Sequence, residues 1–119
     1  DALIANDGQA DTVWLNDGSG AFADTGQHLG SSWSRSVALG DLDDDGDLDL
    51  FVANDGQGNT VWLNDGTGTF TDSGLSLGSS RSYGAALGDV DGDGDLDAFV
   101  ANFVGQANKV WFNGGNGSY

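Results

Sequence analysis

The amino-acid sequence predicts an all-β protein in which four-stranded antiparallel units follow one another in tandem. Residues 1–48 and 49–96 are identical at 31 of 48 positions, and residues 97–119 begin a third copy. All 19 acidic residues are Asp, and 21 of the 119 residues are Gly. That composition favours turns and short loops over helices. A repeat length in the forties is typical of propeller blades or of a solenoid.

Four strand-like segments recur in each repeat, and we name them A to D. Strand A is short and apolar and runs directly into an Asp-rich loop, and strand B is the apolar segment that follows this loop. Strand C carries a Trp. Strand D carries a Phe and follows a Gly-rich sequence typical of hairpin turns. The predicted strands are A at Val37–Gly40 and Ala85–Gly88; B at Ala2–Ala5, Leu50–Ala53 and Ala98–Ala101; C at Thr12–Asn16, Thr60–Asn64 and Lys109–Asn113; and D at Ala21–Thr25 and Thr69–Ser73.

Four antiparallel strands in about 48 residues predict a blade of a β-propeller. The chain then reads B-C-D, A-B-C-D, A-B-C, which is about two and a half blades with a permuted start at strand B. We divide it into repeat 1 at residues 1–48, repeat 2 at 49–96 and a partial repeat 3 at 97–119. A closed propeller usually has about four to eight blades. The sequence therefore leaves open a piece of a longer chain, a ring of several copies and an open, fibre-like stack.

The densest cluster of charge is a nine-residue Asp-rich string that occurs twice, at Asp41–Asp49 and Asp89–Asp97. Two carboxylates about 4 Å apart repel by roughly 4 kcal/mol at an effective dielectric near 20, so a bound hard cation best explains such loops. Alternating Asp residues converge on one side of a loop, and calcium loops use a main-chain carbonyl at their seventh position. The sequence therefore predicts two Ca²⁺ sites. The candidate ligands are Asp41, Asp43, Asp45, Asp47 and Asp49 in the first loop, and Asp89, Asp91, Asp93, Asp95 and Asp97 in the second.

Other cations and other loop types fit this pattern less well. An EF-hand needs a Glu at position twelve and flanking helices, but Val52 and Val100 stand there, inside predicted strands. Magnesium prefers an octahedron that retains several waters. Zinc or copper would be poorly served by one His and no Cys. An acidic turn without an ion remains the alternative.

The segments Leu39–Asn54 and Leu87–Asn102 resemble FG-GAP/VCBS repeats, and the resemblance extends over the whole chain. Such repeats build the calcium-binding propeller of integrin α subunits and of many bacterial secreted proteins. The resemblance implies that one calcium is ligated by the side chains of Asp41, Asp43, Asp45 and Asp49 and the carbonyl of Asp47, and the other by the side chains of Asp89, Asp91, Asp93 and Asp97 and the carbonyl of Asp95. The eponymous Phe-Gly and Gly-Ala-Pro are absent, with Arg81-Ser82 and Ala53-Asn54-Asp55 near their places, which favours the bacterial VCBS type.

The loops from strand D to strand A are candidates for ligand binding. They read Ser31-Ser-Trp-Ser-Arg-Ser and Ser79-Ser-Arg-Ser-Tyr-Gly. Aromatic residues and Arg are enriched at binding hot spots, so Trp33, Arg35, Arg81 and Tyr83 form a candidate ligand surface on the side of a propeller opposite the metal loops. The alternative is that these side chains only pack against one another.

Three further Trp residues stand at one register of strand C, after allowance for a one-residue insertion near residues 103–109. We expect Trp14, Trp62 and Trp111 to fill the space between neighbouring units. The alternative is a ladder of rings on which sugars stack.

The formal net charge of −16, with only three basic residues, argues against nucleic acid and anionic membrane surfaces as partners. No apolar run approaches the roughly 20 residues of a membrane-spanning helix. The absence of Cys excludes disulfides and Cys-rich zinc sites. No nucleophile motif is present, so we expect no enzymatic activity.

Three functions remain compatible with these patterns. The first is a calcium-binding, non-enzymatic propeller module for adhesion or scaffolding in an extracellular or cell-surface protein, a setting in which weak calcium sites of about 10⁻⁴–10⁻³ M suffice. The second is a structural subunit of an extracellular filament or repeat array. The third is a carbohydrate-binding propeller or the non-catalytic part of a secreted enzyme. The expected partners are other copies or the remainder of a longer chain, and a protein or glycan ligand.

Overall fold

The computed structural model describes residues 1–119, and all regular structure in it is β-strand. The all-β prediction is confirmed, and no helix is present that could span a membrane. The strands are β1 Ala2–Ile4, β2 Asp11–Asn16, β3 Phe22–Leu29, β4 Ser34–Gly40, β5 Asp49–Asn54, β6 Thr60–Asn64, β7 Phe70–Asp72, β8 Ser82–Gly88, β9 Asp97–Asn102 and β10 Lys109–Trp111.

The strands form three antiparallel sheets in chain order. Sheet I contains β1-β2-β3, sheet II contains β4-β5-β6-β7, and sheet III contains β8-β9-β10. Each predicted strand is present, and sheet II has the predicted order A-B-C-D. Neighbouring strands pair with their nearest neighbours in sequence because short Gly-rich turns and loops connect them.

The ends of several strands differ from the sequence-based bounds. Strands β4 and β8 begin three residues earlier than expected, because a register shift lets Ser34 pair with Asn54 and Ser82 pair with Asn102. Strand β3 continues to Leu29, which pairs with Asp11 at the start of β2. Strand β10 ends early, at Trp111. Such bulges and extensions depend on the partner strand, so a single-strand pattern does not reveal them.

Sheet II is covered on both faces. All six residues of β5 are buried, and successive side chains of a strand point to opposite faces of its sheet. Leu50 and Val52 pack in a core shared with sheet I, whereas Phe51 packs in a core shared with sheet III. The predicted role of the strand-C Trp residues holds at these two contacts, where Trp62 and Trp111 pack against the respective cores.

The loops segregate by topology to the two ends of the sheets. The Asp-rich loops join β4 to β5 and β8 to β9 at one end. At the other end, bridges join the loops before β4 and β8 to the loops after β1 and β5, through Asp7 with Trp33 and Asp55 with Arg81. The candidate metal and ligand residues therefore lie at opposite ends.

Candidate metal centre

The first Asp-rich loop brings three carboxylates together. Ligand oxygens of Asp41, Asp43 and Asp49 all lie within 4.8 Å of one another. Asp49 begins β5 and is completely buried. Its Oδ2 accepts a hydrogen bond from the N–H of Leu42 at 2.8 Å, and its Oδ1 accepts one from the N–H of Asn64 at 2.8 Å. Backbone donors therefore fix this carboxylate at the closing end of the loop.

The turn of the loop depends on local hydrogen bonds and on one glycine. The N–H of Gly46 donates to Asp41 Oδ2 at 3.0 Å, and the N–H of Asp47 donates to Asp45 Oδ1 at 2.9 Å. Gly46 has a φ of 93°, a conformation that residues with a Cβ rarely adopt. The sequence folds here because Asp accepts from nearby backbone N–H groups and Gly allows the reversal.

Two oxygens of the first loop are buried without a hydrogen-bond partner, namely Oδ1 of Asp41 and Oδ1 of Asp43. Burial raises the pKa of Asp43, and the nearby carboxylates of Asp49 and Asp45 raise it further. Burial also raises the pKa of Asp49. A buried carboxylate oxygen without a partner is unfavourable, and a cation with oxygen ligands would satisfy it. The donor set, made only of oxygens, fits Ca²⁺ better than a transition metal.

The second loop repeats this arrangement in a more open form. Oxygens of Asp89, Asp91 and Asp97 lie within 4.8 Å of one another, with Asp97 buried and the other two exposed. Asp97 accepts hydrogen bonds from the N–H groups of Val90 at 2.8 Å and Asn113 at 2.9 Å. Desolvation raises the pKa of Asp91. The structure thus contains two acidic clusters that could bind a metal.

Four predicted ligands lie outside these clusters of three. Asp45 and Asp93 each accept the N–H of the residue two positions later, at 2.9 and 3.0 Å. The side chains of Asp47 and Asp95 lie against glycines of the hairpin turns that follow, which is compatible with a main-chain role at the seventh position.

The first loop is also held from the neighbouring sheet, by residues that the sequence did not single out. Leu42 is buried, and its carbonyl accepts hydrogen bonds from Asn113 Nδ2 at 2.8 Å and from the N–H of Gly117 at 2.7 Å. The one sequence feature that pointed to Asn113 was a recurring Asn before each Gly-rich hairpin, at Asn16, Asn64 and Asn113. That pattern indicates a turn but not a contact with another sheet.

At the opposite end, three of the four candidate ligand residues meet at Asp55, whose side chain is only 3 % exposed. Arg35 Nη2 and Arg81 Nε lie 3.0 and 2.7 Å from its carboxylate oxygens, and the hydroxyl of Tyr83 donates at 3.2 Å. Hydrogen bonds from Arg81, reinforced by Arg35, lower the pKa of Asp55 to about 2. Sequence reasoning missed Asp55 because an Asn-Asp-Gly triplet indicates a turn.

The aromatic side chains at this end lie in two separate places. Tyr83 stacks on Phe103 with ring centroids 4.6 Å apart, and the Arg81 guanidinium lies 5.1 Å from the Phe103 centroid. Trp33 lies over Gly8 instead and remains half exposed. Arg35, Arg81 and Tyr83 therefore form one cluster with Asp55, and Trp33 packs separately.

The comparisons with known proteins add one family. A family model described as FG-GAP-like repeat matches residues 1–52 and, in a second overlapping match, residues 41–100. No curated protein matches the chain. Together the two matches cover residues 1–100, which contain both Asp-rich loops.

Proposed function

Because the chain belongs to the FG-GAP-like repeat family, we propose that it is a calcium-binding, non-enzymatic repeat module of an extracellular or cell-surface protein, with a role in adhesion or scaffolding. Repeats of this family typically occur in extracellular proteins and are generally non-catalytic. The observation that carries the proposal is the pair of carboxylate clusters, one of which contains two buried oxygens without a partner.

The three sheets would be consecutive blades of a β-propeller, with sheet II as a complete blade. The strand order of sheet II and the stacking of sheets I and III on its two faces support this arrangement. So does the approach of β4 and β8, where the N–H of Ala85 donates to Ser36 Oγ at 3.3 Å. The repeat bounds 1–48, 49–96 and 97–119 would then mark units that start at strand B.

Calcium would act on this fold as a brace for each loop between strands A and B. Asp41, Asp43 and Asp49 would hold one ion, and Asp89, Asp91 and Asp97 the other, with Asp45, Asp93 and the carbonyls of Asp47 and Asp95 completing the sets. For a dissociation constant of about 10⁻⁴–10⁻³ M, roughly 10 mM calcium would stabilise the fold by about 1.4–2.7 kcal/mol per site.

Calorimetric titration together with thermal melting tests this proposal. We expect two calcium equivalents for the chain and a lower melting temperature in chelator. Asp43→Asn should remove one equivalent, whereas Asp44→Asn, a matched change in the same loop outside the cluster, should keep both. Absence of binding at millimolar calcium, with a melting temperature that chelator does not change, would contradict the proposal.

A second candidate function is recognition of a glycan at the opposite end. The exposed stack of Tyr83 on Phe103, with Arg81 beside it, offers aromatic faces for sugar rings and donors for hydroxyl groups. Together with Trp33 and Arg35, these residues would make up the binding surface. Glycan-array binding that Tyr83→Ala abolishes would support this function, and an array blank with and without calcium would exclude it.

A further inference from the structure

The outer face of sheet III carries large apolar side chains that no part of the chain covers. Phe99 is 44 % exposed, Val110 39 % and Phe112 55 %. Phe99 pairs with Val110 across β9 and β10 in the same way as Phe51 pairs with Val61 across β5 and β6. Phe51 and Val61 are fully buried because sheet III covers them. The outer face of sheet III therefore repeats a packing surface that is used inside the chain.

The Asp-rich loop beside the outer face of sheet III is also uncovered, unlike the Asp-rich loop of sheet II. Val90 occupies the position of Leu42 one repeat later. Leu42 is 1 % exposed beneath the turn that follows β10, residues 113–118, which we call the hairpin of sheet III, whereas Val90 is 58 % exposed. The Asp-rich loop of sheet III therefore presents an apolar side chain for which the chain supplies no covering hairpin.

The outer face of sheet I is the matching half of such a contact. Ile4 and Phe22 are 45 % and 50 % exposed. Ile4 stands at the register of Val52 and Val100, which pack in the cores between sheets. Phe22 stands at the register of Tyr119, whose ring contacts Phe51 edge to face at a centroid distance of 5.8 Å.

We propose that a second copy of this chain packs the outer face of its sheet I against the outer face of sheet III, and that copies add head to tail in a row. The proposal deepens the proposed function, on which it rests, because it treats the sheets as repeat units that stack in one direction. A second copy is the fitting occupant because the contact would continue one already present between sheets II and III. A heterologous contact of this kind leaves one free face at each end, so that growth continues until the copies curve into a closed ring or run out.

The turn between β2 and β3, residues 16–22, is the hairpin of sheet I, and it would complete the contact. Asn16 stands at the register of Asn113, whose Nδ2 donates to the carbonyl of Leu42 at 2.8 Å. In the assembly, Asn16 would donate in the same way to the carbonyl of Val90 in the other copy. Sheet I has no counterpart of β8, so the contact between copies is smaller than the internal one and should be reversible.

Charge opposes this association unless it is neutralised. Each copy carries a net charge of −16, and the contact places the second Asp-rich loop beside the hairpin of sheet I, which contains Asp17. The carboxylates of the two copies would repel one another, and salt would screen this repulsion. Calcium in the second loop would lower the repulsion directly, so the row of copies should form more readily with calcium than in chelator.

Sedimentation velocity of the full 119-residue chain over a range of concentrations, with calcium and moderate salt, tests the proposal. The wild-type chain should show a mass that rises with concentration to that of a dimer or a larger assembly. Phe112→Asp blocks one face and Ile4→Asp blocks the other, so each variant alone should remain monomeric. Val104→Asp, which changes a 79 % exposed side chain in a loop outside both faces, should assemble like the wild type.

A mixture of the Phe112→Asp and Ile4→Asp chains provides the decisive experiment. Each variant retains the face that the other lacks, so the mixture should form dimers and nothing larger. A monomeric wild-type chain at all concentrations would overturn the proposal and leave the faces to a different protein. A mixture that stays monomeric while the wild type assembles would also overturn it, because that result indicates contact between like faces.

Two further measurements, made on protein dilute enough for the wild type to be monomeric, separate this proposal from the calcium proposal. Under those conditions, circular dichroism and calcium titration should be unchanged in all three variants, because the substituted side chains are exposed and lie outside both carboxylate clusters. Assembly that persists in a chain that binds no calcium would leave the head-to-tail contact standing and overturn only the calcium proposal. Two bound calcium ions in a strictly monomeric chain would give the reverse result.

Discussion

At the scale of single residues, Asp49 and Asp97 each join a loop to a strand. Both are completely buried, and each accepts hydrogen bonds from two backbone N–H groups. Each carboxylate is therefore positioned by the fold itself, and the rest of the loop has only to close on it. Such preorganisation lowers the cost of ordering a ligand set on binding.

Asn113 should act as a positioning residue for the first loop. Its side chain holds the carbonyl of Leu42, whose N–H donates to Asp49. We expect Asn113→Ala to weaken calcium binding at that loop by roughly 10-fold, the lower end of the range for outer-shell partners. Calorimetric titration in an Asp91→Asn background would measure the first loop alone.

Asn16→Ala is the matched control for this change. It removes the Asn at the same register of sheet I, where the side chain only accepts hydrogen bonds within its own hairpin, from Gly18 and Gly20. The dilute protein should then bind calcium at the first loop as tightly as before. An equal loss of affinity in both variants would show that the contact of Asn113 with Leu42 is not responsible.

The ion-paired Asp55 predicts a defined pH dependence. Its pKa is lowered from 3.8 to about 2 by Arg81 and Arg35, so the unfolded chain binds more protons than the folded chain between these values. Its contribution to stability is therefore full above about pH 4 and is lost as the pH falls through about 2. The difference in melting temperature between wild type and Asp55→Asn should shrink across that window.

The Asp55→Asn variant keeps one of the ion pairs at this end of the molecule. In Asp55→Asn, the guanidinium groups of Arg35 and Arg81 lose a nearly buried partner, while Arg35 keeps its ion pair with Asp7 at 2.9 Å. A difference in melting temperature that stays constant from pH 5 to pH 2 would show that Asp55 titrates normally in the folded state.

At the scale of elements, the contact between sheets II and III is closely packed at the end of β4. Gly40 ends β4 and is buried. A Cβ there would lie 2.7 Å from Leu96 Cδ1 and 2.9 Å from Leu87 Cδ1. The equivalent Gly88 at the end of β8 has no atom within 4 Å of such a Cβ. The two glycines share a register but differ in the sheet that lies beyond them.

Gly40→Ala should therefore destabilise the fold, by about 1 kcal/mol, at the low end of the range for overpacking because two leucine side-chain ends must shift. Gly88→Ala at the same register should be close to neutral. Urea unfolding of both variants in calcium measures the two free energies of unfolding. Equal destabilisation would indicate a backbone effect common to both strands instead of a clash between sheets.

At the scale of the whole molecule, the net charge of −16 dominates long-range electrostatics. Self-repulsion of this size opposes the compact state. Two bound calcium ions would add four positive charges and change the value from −16 to −12. Most of the negative charge would therefore remain after the metal sites are filled.

Salt should stabilise the metal-free protein more than the calcium-loaded protein. Raising the ionic strength from about 0.1 to 1 M shortens the Debye length from about 10 to 3 Å. The melting temperature in chelator should rise accordingly, with a smaller rise in calcium. Differential scanning calorimetry at low protein concentration measures both series. A melting temperature in chelator that is independent of salt would show that repulsion is not a major term.

The existence and order of the strands, the Asp-rich loops and the family could be predicted from the sequence, because these depend on local spacing. Alternating Asp residues with Gly46 or Gly94 specify a loop, and the repeat register specifies which strand follows it. Which side chains meet could be seen only in the folded chain. Asp55 collects Arg35 and Arg81 from positions 20 and 26 residues away, and Asn113 reaches Leu42 across 71 residues. Such pairs form only when the sheets stack. A local sequence pattern does not reveal which residues far apart in the chain will then meet.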